Sequence, residues 1–102
     1  MHERTGRLEK RIRLAVPVQL EGLFPSHTVE RTQTENVSRL GVRMVSSRSW
    51  QPEQELRLTL LQENQRRLVK VIYCDSLRSG KFAVGLQFLG PPMDWAGKFG
   101  SD

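Results

Sequence analysis

The chain has 102 residues, 37% of them hydrophobic and 26% charged, with 16 Lys and Arg against 11 Asp and Glu for a net charge of +5. That length and balance fit one domain with a modest core and argue against a disordered chain or two packed domains. A single cysteine, Cys74, excludes an internal disulfide framework and a cysteine-rich zinc site, and only two histidines, His2 and His27, leave little for a metal.

The first residues form a basic arm. Arg4, Arg7, Lys10, Arg11 and Arg13 outnumber Glu3 and Glu9 there, so most of the surplus charge sits in this segment. Such an arm suits an anionic partner, or is simply a solvated tail. Met1-His2-Glu3-Arg4 shows no apolar signal-peptide region, and no stretch approaches the roughly 20 apolar residues of a membrane helix. The expectation is a cytoplasmic protein without membrane insertion.

From residue 12 the pattern becomes period two. Ile12, Leu14, Val16, Val18 and Leu20 alternate with polar or small residues and predict a half-buried strand over 12–20. Pro17 donates no ladder bond, which suggests an edge strand or a bulge. A polar strand is expected over 27–34, where Thr28, Val29, Thr32 and Thr34 favour extended backbone. Residues 36–41 have turn chemistry, and Val42, Met44 and Val45 follow as a short strand. Trp50 and Pro52 fall in a loop over 46–53.

Leu56, Leu58 and Leu60 mark the next strand, and residues 62–65 a polar turn. Residues 67–74 read as a β-branched strand with Val69, Val71 and Tyr73 on one face. A hairpin turn over 75–81 contains Ser79-Gly80, and Phe82, Val84, Leu86 and Phe88 alternate in the last strand. Gly90-Pro91-Pro92 ends it. Residues 93–99 suit one short helical turn, with Trp95 and Phe99 packing back. Six short strands with frequent turns predict an all-β chain, a small barrel or sandwich.

Catalytic signals are weak. Cys74 lies in an apolar strand with no histidine nearby in sequence and reads as packed and inert. No carboxylate pair stands out as an acid–base couple. Gly80-Lys81 and Gly97-Lys98 are each followed by Phe and lack the rest of a P-loop. The Asn36-Val37-Ser38 sequon is discounted. No catalytic residue, metal or cofactor is assigned, and the expectation is that the protein is not an enzyme.

Two spacings remain. Arg7 and Arg11 stand four apart before the first strand, and Asn36, Ser38 and Gly41 form Asn-x-Ser-x-x-Gly. A guanidinium grips guanine O6 and N7 or a phosphate with paired bonds. An asparagine amide reads a base edge, a serine hydroxyl bonds a phosphate oxygen, and glycine permits close approach. Each spacing alone is common on solvated faces and in turns.

Together, in this order around an alternating strand, they resemble the PilZ domain family of bacterial cyclic di-GMP receptors. The resemblance runs from about Arg4 to Leu89 and includes Pro17-Val18 in the first strand and residues 82–88 as the closing strand. It implies a six-stranded antiparallel β-barrel over 12–90, a ligand-binding arm over 1–11 and a C-terminal tail over 91–102. It implies Arg7 and Arg11 as a clamp on cyclic di-GMP, Asn36 on a guanine edge, Ser38 on phosphate or base, and Gly41 as the point of close approach. Arg13, Arg39 and Arg43 are secondary candidates. Gly6, where the pair-binding pattern has arginine, favours one ligand molecule. The output would pass to an unidentified downstream protein by ordering of the arm, with no DNA or RNA expected. The alternatives are a protein-interaction barrel that binds no nucleotide and a small RNA- or single-strand-binding barrel.

Overall fold

The computed structural model describes residues 10–23 and 27–95. Seven strands follow in chain order: β1 (Ile12–Arg13), β2 (Pro17–Gly22), β3 (Val29–Val37), β4 (Gly41–Ser46), β5 (Glu55–Leu60), β6 (Gln65–Ser76) and β7 (Phe82–Phe88). All pairings are antiparallel, in the order β1-β3-β2-β5-β6-β7-β4, and β4 pairs back onto β3. Six strands therefore close a barrel, and β1 lies beside β3 as an addition to it. Closure leaves the polar β3 a partner on each side, which its side chains alone would not have secured.

The alternating residues fill the interior. Val18 and Leu20 from β2, Val42 and Met44 from β4, Leu56, Leu58 and Leu60 from β5, Val69 and Val71 from β6, and Val84, Leu86 and Phe88 from β7 are all buried in one cluster. Each such side chain contributes about 1.5–3 kcal/mol by leaving water. The two tryptophans plug opposite ends. Trp50 donates from Nε1 to Ser46 Oγ at 3.0 Å, at the far end of β4. Trp95 donates from Nε1 to the Ser38 carbonyl at 2.6 Å, beside the start of β4, and packs against Phe88 with ring centroids 6.2 Å apart. Cys74 packs against the core, and its sulfur accepts from the Trp50 amide at 3.4 Å.

The structure corrects the expected strands in four places. The first strand is not continuous, because the Thr34 hydroxyl accepts from Val16 N at 2.9 Å and donates to the Leu14 carbonyl at 2.6 Å. This side chain takes ladder bonds that backbone would otherwise make, and the chain splits into β1 and β2. Ile12, placed inward by alternation, is 48% exposed. Pro17 does not mark an edge: β2 is flanked by β3 and β5, and proline is accommodated as its first residue. Asn36 and Val37 belong to β3, so the turn is only residues 38–40.

The fourth correction concerns facing. Register shifts lie between Thr34 and Asn36 against β4, and between Val71 and Tyr73 against β7. A bulge adds one residue to its strand and breaks the period of two. Glu35 and Asn36 thus both face outward between buried Thr34 and Val37. Ile72 and Tyr73 likewise sit outside, so Tyr73 does not share a face with Val69 and Val71. Trp95 packs back as expected, and Met93 is buried as well. Most of the helical turn expected over 93–99, with Phe99, lies outside the described residues. Among the described residues no helix is long and apolar enough to cross a membrane.

Candidate functional site

The Asn-x-Ser-x-x-Gly segment is the β3–β4 hairpin. Ser38 N donates to the Gly41 carbonyl at 2.8 Å. Ser38 Oγ accepts from Leu40 N at 3.2 Å and from Gly41 N at 3.1 Å. The hydroxyl satisfies amides that so tight a turn leaves open. Ser38 is 1% exposed and its carbonyl rests on Trp95, so its side chain is turned into the hairpin.

Gly41 makes a close approach, and its neighbour there is protein. A Cβ at this position would fall 2.1 Å from the Leu86 carbonyl oxygen of β7. Its φ is not left-handed. Glycine is needed here for contact between strands rather than for a special backbone angle.

The arm meets this hairpin through Arg11. Its Nε donates to Asn36 Oδ1 at 2.6 Å across 25 positions of sequence. Arg11 is exposed and Asn36 half-buried. The outward turn of Asn36 follows from the β3 bulge. Arg7, the other arginine of the first motif, lies outside the described residues.

The three secondary arginines go to different places. Arg13 is paired with Asn36 in the β1–β3 register and borders a cavity of about 370 Å³ with Glu35 and Asn36. Arg39 is exposed on the turn, and its carbonyl accepts from Met93 N at 2.8 Å. With Lys10, Ile12, Met93 and Trp95 it borders a cavity of about 550 Å³. Arg43 is engaged on the barrel wall. Its Nε donates to Glu35 Oε1 at 2.9 Å, and its Nη1 donates to the Tyr73 hydroxyl at 3.0 Å. The hydrogen bond to Glu35, then that to Tyr73, raises its pKa above the usual arginine value.

A groove of about 300 Å³ adjoins Arg11 on the outer face of β4, β7 and β6 and is lined also by Leu40, Ile72, Tyr73, Gly85 and Gln87. Sequence reasoning missed Tyr73, Gly85 and Gln87. One signal was available: Gly85 interrupts the alternating last strand, and a glycine inside a strand often marks a close neighbour. That neighbour is the Tyr73 ring, whose Cε2 would lie 2.2 Å from a Cβ at Gly85. Among the described residues, no group of three His, Cys, Asp or Glu could hold a metal.

No protein-family model matches the sequence, and no curated protein matches it. Among solved structures, the Bacillus subtilis inhibitor of motility MotI/DgrA superposes with a TM-score of 0.66 at 20% identity. The match covers 89% of this chain and 44% of that one, so this chain spans less than half of its neighbour's length. The barrel has a PilZ-like fold. The antiparallel barrel implied by the sequence resemblance is the one observed, with β1 as the extra strand. On this PilZ-like barrel, Arg11 of the arm and Asn36 of the hairpin meet at one corner, above the tryptophan plug.

Proposed function

We propose that the protein is a cyclic di-GMP receptor. The 2.6 Å contact between Arg11 and Asn36 carries this reading, because it joins the two sequence motifs that resemble the PilZ pattern. An exposed guanidinium beside an amide supplies donors for guanine N7 and O6, with an acceptor for the base's own N–H groups. Arg7 and Arg11 clamp the ligand, and Asn36 reads a guanine edge. Ser38 and Gly41 serve by holding the hairpin that carries Asn36. Arg13 and Arg39, which border the cavities beside Asn36 and Lys10, add positive charge near this corner.

The output is ordering of the arm over the bound dinucleotide, which creates a surface for a partner protein. The segment's many charges, Gly6 and lack of apolar periodicity support this role. The direct test is isothermal titration with cyclic di-GMP, with GTP and cyclic di-AMP as controls. Selective saturable binding is expected. No heat and no thermal shift from a folded chain reject the receptor and move the function to protein interaction. Hydrogen exchange over residues 1–13 tests the output, and protection unchanged by ligand rejects it.

A further inference from the structure

We propose that Tyr73 is a stacking platform for a purine base of the ligand, an inference that rests on the cyclic di-GMP reading above. Three features converge on this ring. The first is its seat. The β4–β7 and β6–β7 registers align Arg43, Gly85 and Tyr73 across three neighbouring strands. Gly85 lacks the Cβ that would block the ring, so the ring lies down across β7. The second is its anchor. Arg43 donates to the phenol oxygen at 3.0 Å, its guanidinium carbon is 5.9 Å from the ring centroid, and Glu35 holds the same guanidinium from the other side. A ring fixed at both body and tip loses little freedom when a ligand arrives.

The third feature is its setting. Tyr73 is half-buried and lines the groove that Arg11 also borders. Leu40 and Ile72, 42% and 44% exposed, supply apolar walls. Gln87 brings an amide able to donate and accept at a base edge. A flat aromatic floor with apolar sides and polar groups at the rim suits a planar heterocycle. The core does not account for the arrangement: the β6 bulge turns both Ile72 and Tyr73 outward.

The test is titration of cyclic di-GMP into the wild-type chain and into Tyr73→Ala, Tyr73→Leu and Tyr73→Phe, with thermal midpoints recorded. Leucine keeps apolar bulk over Gly85 but has no π-face, so packing and stacking separate. Tyr73→Ala and Tyr73→Leu are expected to weaken binding about tenfold, and Tyr73→Phe by much less. Tyr73 is the only tyrosine, so its ring protons are directly assignable and are expected to shift on binding. Wild-type binding with unchanged affinity in folded Tyr73→Leu overturns the platform and leaves the receptor standing. No binding by the wild type overturns both.

Discussion

Gly41 lies against the carbonyl of Leu86 so closely that a Cβ would sit 2.1 Å from the oxygen. The glycine of the second motif is thus part of how β4 joins β7. Gly41→Ala must push apart two paired strands in a closed barrel. The expected cost is about 1–3 kcal/mol, by analogy with overpacking. Thermal unfolding reads this as a fall of several degrees. An unchanged midpoint would mean that the strands separate freely at this point. Ligand affinity of this variant is informative only well below its melting temperature.

Ser38→Ala is expected to act on stability as well. It removes the buried oxygen that accepts from Leu40 N and from the buried Gly41 N. Leaving a buried amide without an acceptor costs about 1–3 kcal/mol. Urea unfolding should show a lower midpoint at unchanged slope. A stable Ser38→Ala chain that has lost only ligand affinity would return the hydroxyl to direct contact with ligand.

These two residues show where the sequence was legible and where it was not. Alternation in residues 12–20, 56–60 and 82–88 pointed to three barrel strands, because Val18 and Leu20, then Leu56, Leu58 and Leu60, then Val84, Leu86 and Phe88 reach the core at every second position. Both motifs were visible as spacings, and Arg11 and Asn36 do meet. Orientation was hidden. Each bulge inserts one residue, and no local property of Glu35 or Tyr73 announces the shift. The split between β1 and β2 was hidden too, since it depends on a hydroxyl from Thr34, twenty positions from Leu14. A period of two reports which residues alternate, but not where a partner strand breaks the count.

Arg11→Ala separates binding from folding. The side chain is exposed, so its removal should leave the thermal midpoint nearly unchanged. Loss of guanine or phosphate contacts is expected to cost about 1–3 kcal/mol of binding, roughly tenfold in affinity. Wild-type affinity should also fall as salt is added, because exposed charged contacts are screened. Equal affinity of variant and wild type would remove Arg11 from the site.

The Arg43–Glu35 pair is expected to be insensitive to pH in the neutral range. The folded pKa of Arg43 is raised. Its stabilising contribution is therefore complete below the unfolded arginine value and is lost only as pH climbs through the higher folded value. The guanidinium stays charged throughout the neutral range, and both partners are partly exposed. Glu35→Gln should cost less than about 1 kcal/mol. The difference in thermal midpoint from wild type should be the same at pH values of about 6 and 9. A difference that changes between them would show that another titrating group controls the pair.

Trp95 provides an optical report on the hairpin. Its indole donates to the Ser38 carbonyl at 2.6 Å, whereas Trp50 sits at the other end of β4 beside Ser46. Both rings are buried, so the folded chain should emit at short wavelength. If the ligand binds Asn36 as proposed, a shift of the turn is expected to reach the Trp95 indole through the Ser38 carbonyl. Cyclic di-GMP should alter emission in the wild type and in Trp50→Phe, but not in Trp95→Phe. Phenylalanine keeps most of the plug's bulk and removes only the indole donor, which should cost about 1 kcal/mol. Should the response persist in Trp95→Phe and vanish in Trp50→Phe, the ligand would be acting at the opposite end of the barrel from the hairpin.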